Sequence, residues 1–303
     1  MAKCTELSKD NIEEALIGLD TVLTDCDGVL WNGPDVIPGA VEAIRKLRKR
    51  NKKVYFVTNN STRTRDEYAE KLTKLGFEAG REDIICSAYV TAQYIRHQLG
   101  IRGKIFVVGS YGLQKELNNA GFDTSPIGPD PLQDSSCDWT DMPLDPDITA
   151  VVVGFDPHFS YAKMVRTCGH LSKTQIPLIA TNDDPALPAK NDRIVPGTGA
   201  ILHAIEVGSG RKAFVCGKPY EPILKVIIER KNVDPSKALV IGDRLETDIA
   251  MANLSNMNSL LVLSGCAALD DVYQLQSSVD AKDKGLLPSF YIKSLSSLNA
   301  LLP

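Results

Sequence analysis

The sequence predicts an α/β protein with a doubly wound parallel sheet of the Rossmann-like type. Short apolar runs rich in valine, isoleucine and leucine recur along the 303 residues, and segments long enough for helices separate them. Runs that are apolar at successive positions are typical of parallel strands covered by helices on both faces. Because such sheets bind ligands beyond the carboxyl ends of their strands, we expect functional residues at those ends.

Eight of these runs are predicted as strands, because each is short, apolar and enriched in the residue types that favour extended backbone. They span residues 21–25, 53–58, 104–109, 150–155, 177–181, 213–217, 238–243 and 259–265. Helices are predicted between them. One is expected to start near Thr62, and another is expected to carry Pro219 in its first turn, where proline is well tolerated.

The middle of the chain predicts a second domain. Residues 122–147 form a polar stretch rich in proline and aspartate, which disfavours long regular elements. This stretch lies between two βα-like units, and functional motifs lie on both sides of them. We therefore predict a core of residues 1–101 and 208–303, with an α/β domain inserted at 102–207. A single sheet with one long loop agrees less well with usual loop lengths.

Charge argues against nucleic acid and membrane partners. The formal net charge is −4, so no strong global field favours nucleic acid or an anionic membrane. The densest basic run, at residues 45–53, lies beside apolar residues at helical spacing. We interpret it as the solvated face of a helix.

Cysteine usage and the amino-terminal segment indicate a cytosolic protein. The seven cysteines contain no C-x-x-C pair, which disfavours a disulfide framework or a structural zinc site and favours a reducing compartment. The first residues are too polar and acidic for a targeting peptide. No apolar stretch approaches the ~20 residues needed to span a bilayer.

The first predicted strand ends in two acids. Asp25 closes residues 21–25, Asp27 follows two positions later, and Gly28 comes next. Positions two apart in extended backbone point the same way, so both carboxylates can face one spot above the sheet. Gly28 then permits a tight turn. Aligned acids repel unless a cation or shared proton relieves them, so the pair is a candidate site for Mg²⁺, which prefers oxygen ligands.

Three further strand ends carry complementary groups. Residues 58–61 read TNNS and offer a hydroxyl, amides and backbone N–H groups to an anion. Lys218 follows the run at 213–217, while Asp243 closes the run at 238–243 and precedes Asp248 by five residues. Each motif alone is most simply a turn or a helix start. Together they suit phosphoryl transfer, with one acid as nucleophile, another for proton transfer, and Mg²⁺ and a lysine offsetting the phosphate charge.

The motifs DCDGV, TNNS, GKP and GDRLETD resemble, in order and separation, the four motifs of the haloacid dehalogenase-like (HAD) phosphatases. The resemblance runs nearly end to end and implies a Mg²⁺-dependent phosphomonoesterase with an aspartyl-phosphate intermediate. It implies Asp25 as nucleophile and Asp27 as general acid and base. It further implies Mg²⁺ ligands at Asp25, the Asp27 backbone carbonyl and Asp243; phosphate ligands at Thr58, Asn59, Asn60 and Lys218; and Asp248 behind them, orienting Lys218 or a metal-bound water.

The insertion resembles the C2-type cap of this family, which covers the core site and selects the substrate. The stretches GFDPHFSY, PGTG and GDRLETDI are similar to those of animal phosphoglycolate phosphatases and the related pyridoxal phosphate phosphatases. This resemblance implies a small phosphorylated metabolite, 2-phosphoglycolate first and glycerol 3-phosphate next, and a homodimer formed through the cap. The cap residues that it places near the substrate are Phe155, Asp156, Pro157, His158 and Leu187.

Two features favour phosphoglycolate over pyridoxal phosphate. Residues 128–147 resemble an insertion of the phosphoglycolate enzymes that is shortened in the pyridoxal enzymes. Within residues 181–192, Leu187 stands where the pyridoxal enzymes have a histidine near the pyridine ring. A leucine can neither donate a hydrogen bond to a ring hydroxyl nor stack as an imidazole does.

Several alternatives stay open at this stage. The substrate alternatives are pyridoxal phosphate and a phosphoprotein. A phospho-aspartate signalling module is the non-enzymatic alternative, although such modules lack an acid equivalent to Asp27. The glycine runs do not form G-x-G-x-x-G, which disfavours a dinucleotide-binding oxidoreductase. Cys26 is predicted to pack beneath the acids, with reversible oxidation as a hypothesis, and Trp31 and Trp139 are predicted packing residues.

Overall fold

The computed structural model describes residues 4–131, 137–187 and 193–303. The chain divides into two compact units. Met1–Thr58, Tyr68–Ile85 and Lys218–Pro303 form the first, and Asn59–Glu67 and Cys86–Gly217 form the second. The predicted insertion at 102–207 lies inside the second unit, which extends beyond it at both ends. Parts of the two stretches compared with the phosphoglycolate enzymes, residues 132–136 and 188–192, lie outside the described residues.

A seven-stranded sheet forms the centre of the first unit in the described part of the chain. Its order is β1 (Thr5–Glu6), β16 (Phe290–Ile292), β15 (Asn258–Val262), β14 (Ala238–Gly242), β2 (Thr21–Thr24), β5 (Lys53–Thr58) and β6 (Ile84–Cys86). The pairings from β1 across to β5 are parallel. Every residue of β2 and β14 is buried, as expected for central strands of a sheet covered on both faces.

Helices and one hairpin complete this unit. They are α1 (Ile12–Leu16), the hairpin β3 (Trp31–Asn32) and β4 (Asp35–Val36), α2 (Ala40–Lys49), α3 (Arg65–Lys74, which begins in the second unit), α8 (Glu221–Lys225, extended by Val226–Arg230), α9 (Ala250–Leu254, preceded by the helical segment Leu245–Ile249), α10 (Leu269–Ser277), α11 (Ala281–Lys284) and α12 (Leu295–Leu301). Helix α2 buries Ala40, Ala43, Ile44 and Leu47. Arg45 and Lys49 are exposed, as the apolar spacing predicts, whereas Lys46 is half-buried and donates to the Asn299 and Leu302 carbonyls.

A five-stranded parallel sheet organises the described part of the second unit. Its order is β13 (Phe214–Val215), β10 (Leu178–Ala180), β9 (Ile148–Val153), β7 (Lys104–Val108) and β8 (Asp123–Thr124). The other elements are α4 (Ser87–Tyr94, extended by Ile95–Leu99), α5 (Tyr111–Asn119), α6 (Tyr161–Leu171), the hairpin β11 (Ala186–Leu187) and β12 (Val195–Pro196), and α7 (Thr198–Ser209). Side chains of β7, β9 and β10 form a core with Leu171, Leu202 and Ile205.

The structure confirms the predicted α/β fold class, and each of the eight predicted strands overlaps an observed one. Two details of the helix predictions are wrong. The helix expected near Thr62 begins at Arg65, because Thr64 and Glu67 cap each other: the Glu67 N–H donates to Thr64 Oγ1 and the Thr64 N–H to Glu67 Oε2. The proline in the first turn of α8 is Pro222, whereas Pro219 precedes the helix.

Short helical turns lie at Arg81–Asp83, Trp139–Asp141 and Pro235–Lys237. Across the described ranges, every helix is either too short or too polar to span a lipid bilayer.

Candidate active site

The carboxyl ends of the neighbouring strands β2 and β14 bring two acids together. Asp25 directly follows β2, and its N–H donates to the Ile241 carbonyl of β14 over 2.8 Å. Asp243 directly follows β14, and its Oδ2 accepts the Cys266 N–H over 2.9 Å. Parallel neighbouring strands end at the same edge of a sheet, so residues 218 apart in sequence share one site.

Two glycines leave room for the Asp243 carboxylate. A side-chain carbon at either Gly28 or Gly265 would overlap the Asp243 side chain. Gly28 also has a φ of 83°, a conformation that disfavours other residue types. The turn after Asp27 therefore requires glycine for both its backbone conformation and its approach to Asp243.

Lys218 connects Asp25 to Asp248 in the same cluster. Its Nζ donates to Asp25 Oδ1 over 2.7 Å, to Asp248 Oδ1 over 2.7 Å and to the Val57 carbonyl over 3.1 Å. The Lys218 and Asp248 side chains are 3% and 1% exposed, whereas the Asp25 side chain keeps 12% exposure. Of these three groups, Asp25 is thus the one that a reactant can reach.

The cluster contains more negative than positive charge. Burial raises the pKa of Asp25 well above its usual range, and the nearby Asp248 and Asp243 carboxylates raise it further. The positive charge of Lys218 lowers this pKa but does not cancel the rise. Burial and Asp248 likewise raise the pKa of Asp243. Burial opposes the charge of Lys218, but Asp248 and Asp25 outweigh it and raise the Lys218 pKa. Lys218 therefore stays protonated and supplies one positive charge against three acids.

The same acids form a set of oxygen donors suited to a hard cation. Carboxylate oxygens of Asp25, Asp243 and Asp248 all lie within 4.8 Å of one another. Both oxygens of Asp248 accept a donor, Oδ1 from Lys218 and Oδ2 from the Arg244 N–H over 3.3 Å, whereas Asp25 and Asp243 each accept a donor at one oxygen. Asp25 and Asp243 are consequently the better candidates for direct ligands, and their uncompensated charge fits Mg²⁺ chemically.

Asp27 is held by a residue that the sequence indicated only for packing. The Trp31 Nε1–H donates to Asp27 Oδ1 over 2.8 Å, and Trp31 itself is fully buried. A buried indole N–H needs a hydrogen-bond acceptor, and Trp31 lies only four residues after Asp27. This need could have indicated a contact between the two residues from the sequence. The sequence did not identify which acceptor that would be.

Thr58 and the two asparagines after it fall in different units. Thr58 is the last residue of β5 and is buried. In the second unit, the Asn59 Nδ2 donates to Asp184 Oδ2 over 3.0 Å, and Asn60 Oδ1 accepts the Thr62 N–H over 2.9 Å. Asp184, a residue that the sequence analysis missed, therefore holds one of the amide hydrogens expected to bind phosphate.

The predicted cap residues show contrasting environments. The Asp156 carboxylate is buried and occupied within its own loop, since Oδ2 accepts from Lys163 Nζ over 2.6 Å and Oδ1 from the His158 N–H over 2.8 Å. Pro157 and His158 are exposed and Phe155 is half-buried. Asp156 thus orients the loop. Leu187 is half-buried in β11, opposite Val195 of β12.

Cys26 is buried, with 1% exposure, which agrees with a side chain that alternates with those of the two acids. Burial raises the pKa of its thiol well above the usual range, and Asp25 and Asp27 act in the same direction. Because oxidation proceeds through the thiolate, this environment opposes the oxidation hypothesis.

Comparisons with known proteins agree with this geometry. Residues 22–123 match the family described as haloacid dehalogenase-like hydrolase, and residues 215–291 match the HAD-hydrolase-like family. The chain is 41% identical to mouse (Mus musculus) glycerol-3-phosphate phosphatase, over 98% of this chain and 95% of that protein. It is 38% identical to rat (Rattus norvegicus) chronophin, over 98% of this chain and 93% of that protein.

Solved structures show the same similarity. A 4-nitrophenylphosphatase from Thermotoga maritima superimposes with a TM-score of 0.79 and 28% identity, covering 95% of this chain and 99% of that one. A glycerol phosphate phosphatase from Mycobacterium tuberculosis, solved with magnesium, has a TM-score of 0.75 and 27% identity, covering 95% and 79% of the two chains. The chain therefore belongs to the haloacid dehalogenase-like hydrolases and is a phosphatase of that family.

Proposed function

We propose that this phosphatase is a Mg²⁺-dependent phosphomonoesterase that hydrolyses a small, anionic phosphorylated metabolite through an aspartyl-phosphate on Asp25. The observation that carries the proposal is the buried cluster in which Lys218 joins Asp25 to Asp248 beside Asp243. It supplies a reachable carboxylate, a fixed positive charge and further oxygen donors at the carboxyl end of a parallel sheet.

The first step forms a bond between an Asp25 carboxylate oxygen and phosphorus, while the bond from phosphorus to the ester oxygen breaks. Asp27 gives its proton to the departing alkoxide. In the second step, Asp27 takes a proton from a water whose oxygen attacks phosphorus, and the bond from phosphorus to Asp25 breaks. Inorganic phosphate leaves, and both acids regain their starting states.

Lys218 neutralises charge as the two anionic partners approach, and the Asp248 carboxylate fixes the position of its ammonium group. Thr58 contributes a hydroxyl from the end of β5 to the phosphate. Asn59 and Asn60 are proposed as further phosphate ligands; their amides also make contacts of their own, since Asn59 Nδ2 donates to Asp184 Oδ2 and Asn60 Oδ1 accepts the Thr62 N–H.

The residues that would hold Mg²⁺ are the Asp25 and Asp243 carboxylates and the Asp27 backbone carbonyl. When bound, the ion offsets phosphate charge and the mutual repulsion of these acids. Gly28 and Gly265 contribute by leaving space around Asp243.

For the substrate, we propose glycerol 3-phosphate and 2-phosphoglycolate. Similarity to proteins named glycerol-3-phosphate phosphatase supports the first. Leu187 supports both, because an apolar side chain offers no hydrogen bond to a pyridine ring. We assign substrate selection to the predicted cap at residues 102–207, and we further propose a homodimer through that cap and a cytosolic location.

The test is Mg²⁺-dependent phosphate release from glycerol 3-phosphate, 2-phosphoglycolate, pyridoxal phosphate and a phosphotyrosine peptide. Wild type is compared with Asp25→Asn, Asp27→Asn and the surface control Asp270→Asn. We expect release from the two small alkyl phosphates by wild type and control, and loss of at least ~100-fold in both site variants.

Each other outcome identifies a different error. Preference for pyridoxal phosphate or the peptide would contradict the Leu187 argument and leave the core chemistry intact. A stable phospho-Asp25 that does not turn over would favour a signalling module. Full activity of Asp25→Asn would refute the mechanism itself.

A further inference from the structure

The contact between Trp31 and Asp27 goes beyond packing. Trp31 Nε1–H donates to Asp27 Oδ1 over 2.8 Å, and the indole has no exposed surface. The backbone fixes the residue as well, because the Gly28 N–H donates to the Trp31 carbonyl over 2.8 Å and the Trp31 N–H to the Cys26 carbonyl over 3.3 Å. The turn that carries Asp27 is thus closed around Trp31.

A cation lies over the face of the same ring. Lys71 Nζ, from α3, is 3.7 Å from the centroid of the Trp31 ring system, well within the range of a cation–π contact. The ammonium charge stabilises the ring in place and makes its N–H a stronger donor. Lys71, Trp31 and Asp27 therefore form a continuous series of contacts that ends at the carboxyl group.

We propose that Trp31 is a positioning residue for proton transfer, which fixes Asp27 Oδ1 as the acceptor of its indole N–H and leaves the transferable proton on Oδ2. The proposal rests on the proposed function, in which Asp27 is the general acid. An indole N–H can only donate, so an Asp27 proton directed at it from Oδ1 is excluded. The proton then resides on the oxygen that remains free for the leaving group.

This arrangement determines which oxygen of Asp27 transfers the proton in each step. As the bond from Asp25 to phosphorus forms and the ester bond breaks, the proton on Oδ2 moves to the alkoxide oxygen, and the resulting Asp27 carboxylate keeps its Oδ1 bonded to Trp31. In the second step the same Oδ2 takes the proton from water. The indole bond is present in both protonation states and moves no proton itself.

Trp31→Phe tests this role because phenylalanine keeps an apolar ring and removes only the N–H and part of the ring volume. The decisive readout is the dependence on the leaving group. An alkoxide needs a proton to leave, whereas 4-nitrophenolate is stable enough to leave without one. We expect kcat/KM for glycerol 3-phosphate to fall by ~10-fold or more and kcat/KM for 4-nitrophenyl phosphate to change by less than about threefold.

A purely structural role gives a different pattern, since a distorted or partly unfolded site loses both substrates in equal measure. Equal losses would overturn the proposal. Lys71→Met keeps the ring and its N–H and removes the charge, so it should show a smaller loss in the same direction, about twofold to threefold for the alkyl phosphate alone.

Asp27→Asn separates this inference from the proposed function. Release of the first product should fall far more for the alkyl phosphate than for 4-nitrophenyl phosphate in this variant. If Asp27→Asn shows that selectivity and Trp31→Phe does not, the positioning role fails and the function stands. If Asp27→Asn shows no selectivity, Asp27 is not the general acid and the function itself fails in that respect.

A measurement on the folded protein covers the case in which Trp31→Phe does not fold. The sequence contains two tryptophans, so the indole N–H region of a proton–nitrogen NMR spectrum holds two signals, assigned with Trp139→Phe. We expect the Trp31 signal to exchange slowly with solvent and to shift in Asp27→Ala, while the Trp139 signal stays in place. If the chemical shift of the Trp31 indole N–H were the same in wild type and Asp27→Ala, the hydrogen bond would be refuted, and the proposal with it.

Discussion

Asp243→Asn tests the electrostatics of the candidate site most directly. Asparagine matches aspartate in size and keeps a side-chain oxygen to accept the Cys266 N–H. The substitution therefore removes one negative charge from a 3% exposed position while the packing is kept. We expect the metal-free variant to be more stable than the metal-free wild type at pH 7.

The magnitude follows from the separation of the acids. Oxygens of Asp243, Asp25 and Asp248 lie within 4.8 Å of one another. At such a distance and an effective dielectric constant of about 20, two like charges repel by about 3.5 kcal/mol. Lys218 offsets part of this repulsion, and proton uptake by the acids limits the rest. We expect a net gain of about 2 kcal/mol in the free energy of unfolding.

The effect should depend on pH in a defined direction. The pKa values of Asp25 and Asp243 are raised in the folded protein, so the folded state holds protons that the unfolded chain has released. The free energy of unfolding of the metal-free wild type should then fall as pH rises above about 4, the usual aspartate pKa. This fall should be shallower in Asp243→Asn, and the gain from the substitution should disappear near pH 4.

Thermal unfolding followed by circular dichroism, in chelator and in Mg²⁺, measures both effects. Mg²⁺ at 100 times its Kd should stabilise wild type by about 2.7 kcal/mol and should not stabilise the variant. Asp270→Asn removes an exposed charge from the same unit and serves as the control. A metal-free variant less stable than wild type at pH 7, or an unchanged response to Mg²⁺, would show that the cluster is not under this electrostatic strain.

Three other substitutions have defined outcomes. Lys218→Met leaves Asp25 and its buried neighbours without their lysine and should lower the free energy of unfolding, measured by urea titration, by about 3 kcal/mol. The control Lys225→Met, at a half-exposed ion pair within α8, should lower it by less than about 0.5 kcal/mol. Equal losses in the two variants would contradict the prediction. Lys163→Met should lower the free energy of unfolding by about 3 kcal/mol and increase amide hydrogen exchange across residues 155–160, because Lys163 is paired with the buried Asp156. Unchanged hydrogen exchange would show that Lys163 does not hold this loop. Gly28→Ala should lower the free energy of unfolding by at least ~1 kcal/mol and should weaken Mg²⁺ binding measured by calorimetry. A variant with the wild-type Mg²⁺ affinity would show that the turn accommodates the added side chain without displacing Asp243.

The central strands were predictable because burial on both faces leaves an apolar run in the sequence. Edge strands leave no such mark: β1 is a two-residue Thr–Glu segment and β8 a two-residue Asp–Thr segment, both recognisable only from their pairing with β16 and β7. The start of α3 was missed for another reason, since its capping residues Thr64 and Glu67 lie just beyond the conspicuous TNNS motif.

The acids and the lysine at the strand ends were predictable because parallel topology alone brings such residues together. Contacts that depend on the direction in which a side chain points were not predictable from the sequence. Asp184 lies 125 residues from Asn59 and is marked by no motif, and its amide contact depends on how a loop of the second unit closes. Trp31 was recognisable as buried, but only the turn geometry shows that its N–H reaches Asp27.

The close approach of Gly28 and Gly265 to Asp243 gives the protein two built-in spectroscopic probes. Because no side chain separates these backbone segments from the carboxylate, their amide chemical shifts should respond to its charge and to any ion it binds. Glycine amide nitrogens resonate apart from those of other residues, so the two signals are readily resolved in a protein of this size. Metal occupancy could then be followed residue by residue in the unmodified enzyme, without an added dye or a turnover assay.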